Sequence, residues 1–158
     1  MIEKVEIKNL KVAENLSEET LAFTASIWIN GKKVGGAKNA GHGGMTDVDL
    51  YYWEGDQARR NNKLHDELRE HVKQFTWESF DKEQVTHRVD TYIDELVSEE
   101  DERQRLKRFC RGKTAFRIPG DTYKEGQYQI IKGKFTKERA DRLRRKYGKD
   151  VFILNETV

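Results

Sequence analysis

A glycine-rich loop at residues 41–44 has the residue types best suited to chemistry. It reads Gly41-His42-Gly43-Gly44, and glycines can adopt positive φ values that expose successive backbone N–H groups as an anion-binding nest. A histidine in that setting can donate to a phosphate or act as a general acid or base. The same loop can instead be a strained connection in which His42 only hydrogen-bonds the backbone, and the sequence leaves both interpretations open.

Two carboxylates follow this loop closely. Asp47 and Asp49 can supply oxygen ligands for a divalent cation. Together with His42 they would form the centre of a metal-dependent enzyme that acts on phosphodiesters, which is one hypothesis for this chain. The segment lacks the lysine and the serine of a phosphate-binding P-loop, and no Gly-x-Gly-x-x-Gly pattern occurs in the chain.

The remaining histidines, His65, His71 and His87, do not predict a metal site. His65 and His71 are six residues apart, so their side chains would lie about 120° from each other around a helix. A helical zinc pair needs i, i+4 spacing with a glutamate between the two histidines. We therefore interpret residues 65–71 as the polar face of a helix, and we expect no metal or other cofactor.

Cys110 is the only cysteine, so neither an intramolecular disulfide nor a cysteine-built zinc site can form. The flanking Arg108 and Arg111 would lower the pKa of its thiol and favour a nucleophile. However, a lone cysteine beside a phenylalanine is more often a small buried hydrophobe. The sequence assigns it no partner histidine, and we favour the structural role.

Positive charge is concentrated near the carboxyl end. Residues 1–100 carry 13 Lys and Arg against 20 Asp and Glu, a net charge of −7, whereas residues 101–158 carry 17 against 8, a net charge of +9. A basic region of this kind can attract a polyanion. The cations that we expect to contact a partner are Arg108, Arg111, Lys113, Arg142, Arg145 and Lys149.

The sequence leaves three interpretations of these cations open. They can follow the phosphate backbone of a nucleic acid, with Tyr123 or Tyr128 available to stack on unpaired bases. They can equally meet an acidic groove of a partner protein. The third possibility is that the acidic and basic portions pack together and neutralise each other.

Alternation of apolar and polar residues predicts an antiparallel sheet near the amino terminus. The expected strands are residues 5–12, 21–29, 32–37 and 48–53. Asn30-Gly31 suits a two-residue hairpin turn, because both positions tolerate positive φ. A break in the alternation between Ile7 and Leu10 indicates an irregularity in the first strand.

Helical periodicity replaces this alternation near residue 56. Apolar residues at spacings of three and four predict a first helix through residues 64–75. Asp81 with Gln84 resembles a capping pair, and it predicts a second helix through residues 85–96. Ser98 can begin a third, basic helix, or the second helix can run on, and both alternatives remain open.

Beyond residue 112, apolar and polar residues alternate again, as they do in strands. The expected elements are strands at residues 115–118 and 128–131, a helix between Thr136 and Gly148, and a strand at residues 151–154. The predicted class is therefore α+β, with an antiparallel sheet, two or three helices, and a small β-β-α-β module. We expect an acidic part at residues 1–112 and a basic part at residues 113–158, packed as one compact unit.

Composition places the chain among soluble, cytoplasmic proteins. It has 158 residues, of which 37% are charged, and its mean hydropathy is −0.93. No apolar run approaches the roughly 20 residues that a membrane crossing needs. No apolar segment follows a basic start either, so we expect neither a secretory leader nor a membrane contact.

The first 50 residues resemble the opening of short uncharacterised proteins of bacteriophages and other bacterial mobile elements. The resemblance rests on Ser17-Glu18-Glu19-Thr20-Leu21-Ala22-Phe23-Thr24-Ala25, the Asn30-Gly31 hairpin and the loop Asn39-Ala40-Gly41-His42-Gly43-Gly44. It covers under a third of the chain. It implies a bacterial or phage cytoplasmic setting and an accessory role, which includes antagonism of a host defence system. It implies no catalytic residue.

The leading hypothesis is a non-enzymatic phage or mobile-element accessory protein in the bacterial cytoplasm. Its basic end would bind nucleic acid or the acidic surface of a host protein. The first alternative is the phosphodiester-acting enzyme centred on His42. The second is a structural or assembly component of a virion, which predicts stable self-association. The sequence predicts neither the identity of the partner nor the oligomeric state.

Overall fold

The computed structural model describes residues 1–54, 57–78 and 83–158. The chain divides into two compact units, Met1–Asp101 and Glu102–Val158. The predicted α+β class is confirmed, since an antiparallel sheet is followed by helices and a later small sheet. Within the described residues, no helix combines the length and the apolar character that crossing a membrane requires.

A five-stranded antiparallel sheet with its strands in chain order forms the first unit's framework. The strands are β1 (Val5–Val12), β2 (Phe23–Ile29), β3 (Lys32–Asn39), β4 (Asp47–Glu54) and β5 (Gln57–Arg60). The four strands predicted from the sequence are confirmed. The change to helical periodicity that we expected near residue 56 is wrong for residues 57–60, which form a fifth strand. These residues show no apolar alternation, and the strand forms by pairing with the backbone of β4.

Two asparagines with positive φ shape this sheet. Asn30 and Gly31 have φ values of 49° and 77°, which suit the two central residues of a type I′ hairpin turn, as predicted. Asn9 has a φ of 54° and lies in the register shift between Lys8 and Lys11. The irregularity that we expected in the first strand is therefore confirmed as a bulge.

Two helices cover the core of the first unit. They are α1 (Asn62–Val72), which ends three residues before the predicted end at Phe75, and α2 (Val89–Cys110), of which residues 89–101 belong to this unit. Asn61 caps α1, since its side chain accepts a hydrogen bond from the backbone N–H of Leu64 at 3.0 Å. The core contains the fully buried side chains Ile27, Leu50, Leu68, Val72, Ile93 and Val97.

The second predicted helix begins later than expected. A short hairpin of β6 (Thr76–Glu78) and β7 (Gln84–Thr86) precedes it, so the helical assignment of residues 85–88 is wrong. Val85 and Thr86 are β-branched, which favours a strand there. The proposed cap at Asp81 lies outside the described residues. Ser98 starts no new helix, because α2 continues to Cys110, the second of the two open alternatives.

The second unit contains the small predicted module. Its elements after α2 are β8 (Lys113–Arg117), β9 (Gln129–Lys132), α3 (Lys137–Tyr147) and β10 (Phe152–Ile153), and the sheet order is β10-β8-β9. Thr136 caps α3 by accepting the N–H of Arg139 at 3.2 Å. Gly148, with a φ of 96°, follows its last residue. The β-β-α-β order is confirmed.

Apolar clusters form on both faces of the small sheet. Phe116 packs with Ala140, Leu143 and Ile153 on what we call the α3 side. Its neighbour Ala115 clusters with Cys110 at the end of α2, on the α2 side. Since successive side chains of a strand point to opposite faces, every residue of β8 belongs to one side or the other, and Lys113 and Arg117 share the α2 side with Ala115.

Candidate functional site

The glycine-rich loop is held by its own backbone. The carbonyl oxygen of Gly41 accepts hydrogen bonds from the N–H groups of Glu18, Glu19 and Thr20 at 3.0, 3.1 and 3.3 Å. Gly41 has a φ of 91°, and a Cβ atom there would lie 2.2 Å from the carbonyl oxygen of Leu16. Glycine at this position is thus required by a close backbone approach, independently of any ligand.

The side chain of Asn39 ties the two ends of this loop together. Its Oδ1 accepts the N–H of Gly41 at 2.9 Å, and its Nδ2 donates to the carbonyl oxygen of Gly44 at 3.0 Å. The N–H of Gly43 donates to Thr20 Oγ1 at 3.3 Å. Two of the N–H groups that an anion nest would offer are therefore already used inside the protein.

The residues of the enzymatic hypothesis come together in part. His42 and Asp47 line an open cavity of about 480 Å³, together with Lys38, whereas Asp49 is not among its lining residues. His42 Nδ1 lies 3.1 Å from the exposed carboxylate of Glu18. Among the described residues, no three His, Cys, Asp or Glu side chains are grouped so that they could hold a metal ion.

Cys110 is buried at the end of α2. Burial raises the pKa of its thiol, and the opposing effect of the Lys113 charge is smaller. A raised pKa disfavours the thiolate that a nucleophile needs. The position of Cys110 beside Ala115 and Leu154 in an apolar cluster fits the structural role that we favoured.

The second unit carries most of the positive charge. Residues 102–158 hold 17 Lys and Arg against seven Asp and Glu, a net charge of +10. The six predicted contact cations fall into two groups in this unit. Arg108 ends α2, Arg111 lies in the turn after it, and Lys113 begins β8 on the α2 side. Arg142 and Arg145 lie on α3, and Lys149 follows this helix.

Several cations on the α3 side have partners within their own unit. The guanidinium group of Arg139 donates to the carbonyl oxygens of Lys132 at 2.8 Å and Gly133 at 3.0 Å, so it holds the strand end to α3. Arg144 pairs with Glu156. Arg142 pairs with Glu138 one turn earlier, but both side chains are more than 70% exposed, and such pairs are weak.

The α2 side combines cations with aromatic rings. Lys113 Nζ lies 3.9 Å from the ring centroid of Phe109, and the guanidinium carbon of Arg117 lies 4.5 Å from that of Tyr128. Tyr128 stacks on Phe152 with centroids 6.5 Å apart and meets Phe109 at 6.0 Å. We call these five residues the aromatic–basic face.

Phe152 is the open end of this stack. Its side chain is 42% exposed, and Ile130 on β9, at the other edge of this sheet, is 48% exposed. Of the tyrosines that the sequence suggested, Tyr128 belongs to the face. Tyr123 has a structural task, since its hydroxyl accepts the N–H of Ile118 at 3.0 Å. Phe152 was missed, although the alternation of residues 151–153 places it opposite the two buried aliphatic side chains.

Comparisons with known proteins add no relative of stated function. No protein-family model, no curated protein and no solved structure matches the chain. The charges, ring contacts and exposure of the described residues therefore carry the inference of function.

Proposed function

We propose that this chain is a non-enzymatic protein that binds single-stranded nucleic acid on the aromatic–basic face. The observation that carries the proposal is the stack of Arg117, Tyr128 and Phe152 in a unit with a net charge of +10. Proteins that bind single strands combine a positive surface with aromatic rings on which bases stack, and arginine adds cation–π contacts.

The aromatic–basic face and the two arginines beside Phe109 in the sequence, Arg108 and Arg111, have separate tasks in this proposal. Phe152, at the open end of the stack, offers a ring to an unpaired base, an interaction worth about 1–3 kcal/mol. Arg108 and Arg111 are exposed, and neither side chain has an ion pair within the described residues. They are therefore available to contact phosphates. The Lys113 ammonium, held over Phe109, adds positive charge beside the rings.

The α3 side supports a second candidate, an acidic protein partner. A cavity of about 240 Å³ lies between β9 and α3. Arg142 and Lys146 contribute cations to its lining, whereas Ile131 and Tyr147 contribute apolar surface. An acidic side chain with an apolar stem would find both kinds of contact there. The exposed Arg145 and Lys149 would extend this surface.

The biological setting is proposed from the resemblance of residues 1–50 alone. We place the chain in the cytoplasm of a bacterial host, as an accessory protein of a bacteriophage or mobile element. Its mechanism would be occlusion, because a bound strand is shielded from other proteins. Antagonism of a host defence system is one form of this proposal.

Fluorescence anisotropy tests the proposal with labelled RNA and DNA strands of about 12 nucleotides, within the range of single-strand site sizes. We expect affinity to fall steeply between about 50 and 200 mM salt. Phe152→Ala should weaken binding about tenfold, since a stacked base contributes 1–3 kcal/mol. Phe75→Ala is the matched control, because this phenylalanine of the first unit is 38% exposed.

Charge reversals separate the two candidates. Arg108→Glu and Arg111→Glu should each lower the affinity and reduce the salt slope by about 0.7, the value for one phosphate contact of a single strand. Arg142→Glu with Arg145→Glu should weaken binding less. If this α3 pair abolishes binding while Phe152→Ala has no effect, or if binding is insensitive to salt, the aromatic–basic face is not the site.

A further inference from the structure

A cavity in the first unit is lined by three cationic side chains, two histidines and the carboxylate of Asp90. Its volume is about 430 Å³, within the range of small-molecule sites. One wall is formed by His65 and Arg69 of α1 and by Lys73, the residue that follows this helix. The opposite wall contains His87, Arg88 and Val89, where α2 begins. None of these residues belongs to the aromatic–basic face.

The cations of the α1 wall can turn to an anion. His65, Arg69 and Lys73 follow each other at i, i+4 spacing and therefore lie on one side of the helix. Arg69 pairs with Asp66 and Lys73 with Glu70, each three residues earlier, but both cationic side chains are more than half exposed. Exposed pairs of this kind are weak, so a bound anion can replace them.

His65 contributes a neutral donor to the same wall. Its Nε2 accepts the backbone N–H of Leu50 at 3.3 Å, so the ring proton of the neutral side chain must lie on Nδ1. Burial lowers the pKa of His65, and the nearby charge of Arg60 lowers it further. The ring therefore stays neutral near pH 7 and offers the Nδ1–H group as its one donor.

The second wall contains a helix start and a buried ring. α2 begins at Val89, and the N–H groups of a helix's first turn favour an anion. His87 is buried; its Nε2 lies 3.0 Å from the Glu95 carboxylate, yet it has no aligned hydrogen-bond partner among the described residues. Its Nδ1 lies 3.3 Å from Thr91 Oγ1, so both ring nitrogens face polar groups of α2 and the ring contributes a wall of the cavity. Arg88 adds a cation, which is shared with Asp90 at 3.2 Å.

We infer that this cavity binds the phosphate group of a small phosphomonoester. Asp90 pairs with Arg88 in this lining. The other groups, Arg69, Lys73, a neutral histidine donor and a helix start, match a dianion with three acceptor oxygens. Val48 and Val89 offer apolar surface to the organic part.

Titration with phenyl phosphate, followed through the ring signals of His65 and His87 in NMR spectra, tests the inference. We expect saturable shifts with phenyl phosphate and none with phenol at equal concentration. Lys73→Ala and Arg69→Ala should each weaken binding about tenfold, as expected for the loss of one charge-assisted hydrogen bond. Lys63→Ala is the matched control, because Lys63 lies on α1 but does not line this cavity.

Two results would overturn the inference: absence of saturation in the natural protein, or equal weakening by Lys63→Ala and Lys73→Ala. We expect both lysine variants to fold normally, since both side chains are exposed. The outcome is also separable from the nucleic-acid proposal. Phe152→Ala should leave the affinity for phenyl phosphate unchanged, and Lys73→Ala should leave the aromatic–basic face intact.

Discussion

The glycine-rich loop and the aromatic–basic face both have residue types that suit an anion, but they use their donors differently. In the loop, the N–H groups of Gly41 and Gly43 are bonded to Asn39 and Thr20. On the aromatic–basic face, Lys113 and Arg117 lie over rings, and Arg117 Nε also donates to the carbonyl oxygen of Gln127 at 2.9 Å. Beside Phe109 in the sequence, by contrast, Arg108 and Arg111 are exposed and have no ion pair within the described residues. Residue type therefore does not identify an anion site. The two regions differ because the N–H groups of the loop are bonded internally, whereas the side chains of Arg108 and Arg111 have no ion pair among the described residues.

The difference has a physical origin. Backbone N–H groups near a core must be paired, because an unpaired buried donor is costly. A loop that packs against strands therefore tends to satisfy its own groups. Long cationic side chains pack their methylene stems on apolar surface and carry the charge outward. The loop consequently stabilises the first unit, whereas the face leaves charge available to a partner.

The largest expected effect is that of Gly41→Ala. A Cβ atom at this position meets the carbonyl oxygen of Leu16 at 2.2 Å, and φ is 91°, so we expect the free energy of unfolding to fall by about 3 kcal/mol or more. Gly44→Ala meets nothing within 4 Å and should cost no more than about 1 kcal/mol. Equal losses would show that the loop is not a structural clamp.

Urea unfolding followed by tryptophan fluorescence measures the stability difference between Gly41→Ala and Gly44→Ala in the first unit. The three tryptophans are residues 28, 53 and 77, and all lie within Met1–Asp101. The signal therefore reports the first unit in the intact chain.

Asn39→Ala should have the next largest effect. The Asn39 Oδ1 accepts hydrogen bonds from Thr20 and Gly41, and its Nδ2 donates to Gly44 and Thr46. Because all four are removed, we expect the free energy of unfolding to fall by about 2–3 kcal/mol. Asn39→Asp keeps the acceptor for Gly41 and should lie between this variant and the natural protein. The same urea measurement applies. If Asn39→Ala lowers the free energy of unfolding by less than Gly44→Ala does, the hydrogen bonds of Asn39 do not hold the loop.

The sequence predicts the sheet better than the segment after it. The strands β1 to β4 have alternating apolar residues or a turn with special φ, such as Asn30-Gly31, and these are local signals. The pairing of β5 with β4 and the hairpin of β6 and β7 depend on contacts with other strands. Three-residue strands such as Gln84–Thr86 are too short to show a period of two.

The candidate site was predictable in its charge but not in its arrangement. Local composition shows that cations are concentrated after residue 101. It cannot show that Arg139 donates to the carbonyl oxygen of Gly133, because this contact depends on how α3 packs on the sheet. Nor can it show that Arg108 of α2 stays exposed. The same holds for His65 and His87, which share a cavity although 21 positions separate them in the sequence.

The third prediction compares two cations of the second unit, one bound to backbone carbonyl oxygens and one exposed to solvent. Arg139→Ala removes hydrogen bonds to two carbonyl oxygens, so we expect a loss of about 1–2 kcal/mol. Lys149→Ala, at an exposed position, should change stability by less than about 0.5 kcal/mol. The reactivity of the buried Cys110 thiol toward a disulfide reagent in urea reports this unit. Equal effects of the two substitutions would remove the distinction between structural and available cations.

The smallest expected effect is a pH dependence of the first unit through His65. Burial and the charge of Arg60 hold the pKa of His65 below its ordinary value of 6.5. The folded state thus binds this proton less readily than the unfolded state. The contribution of His65 to stability is complete above pH 6.5 and is lost as the pH falls through the pKa of the folded state.

Unfolding in urea at about pH 7.5 and 5.5, on either side of the ordinary histidine range, measures this contribution. The fall in unfolding free energy on acidification should be smaller in His65→Gln than in the natural protein. Burial also lowers the pKa of His71, so a part of the fall should remain in that variant. His42→Gln is the control at an exposed histidine. If His65→Gln retains the whole pH dependence, the ring is not held neutral by its contact with Leu50, and the donor assigned to Nδ1 in the phosphate cavity is lost with it.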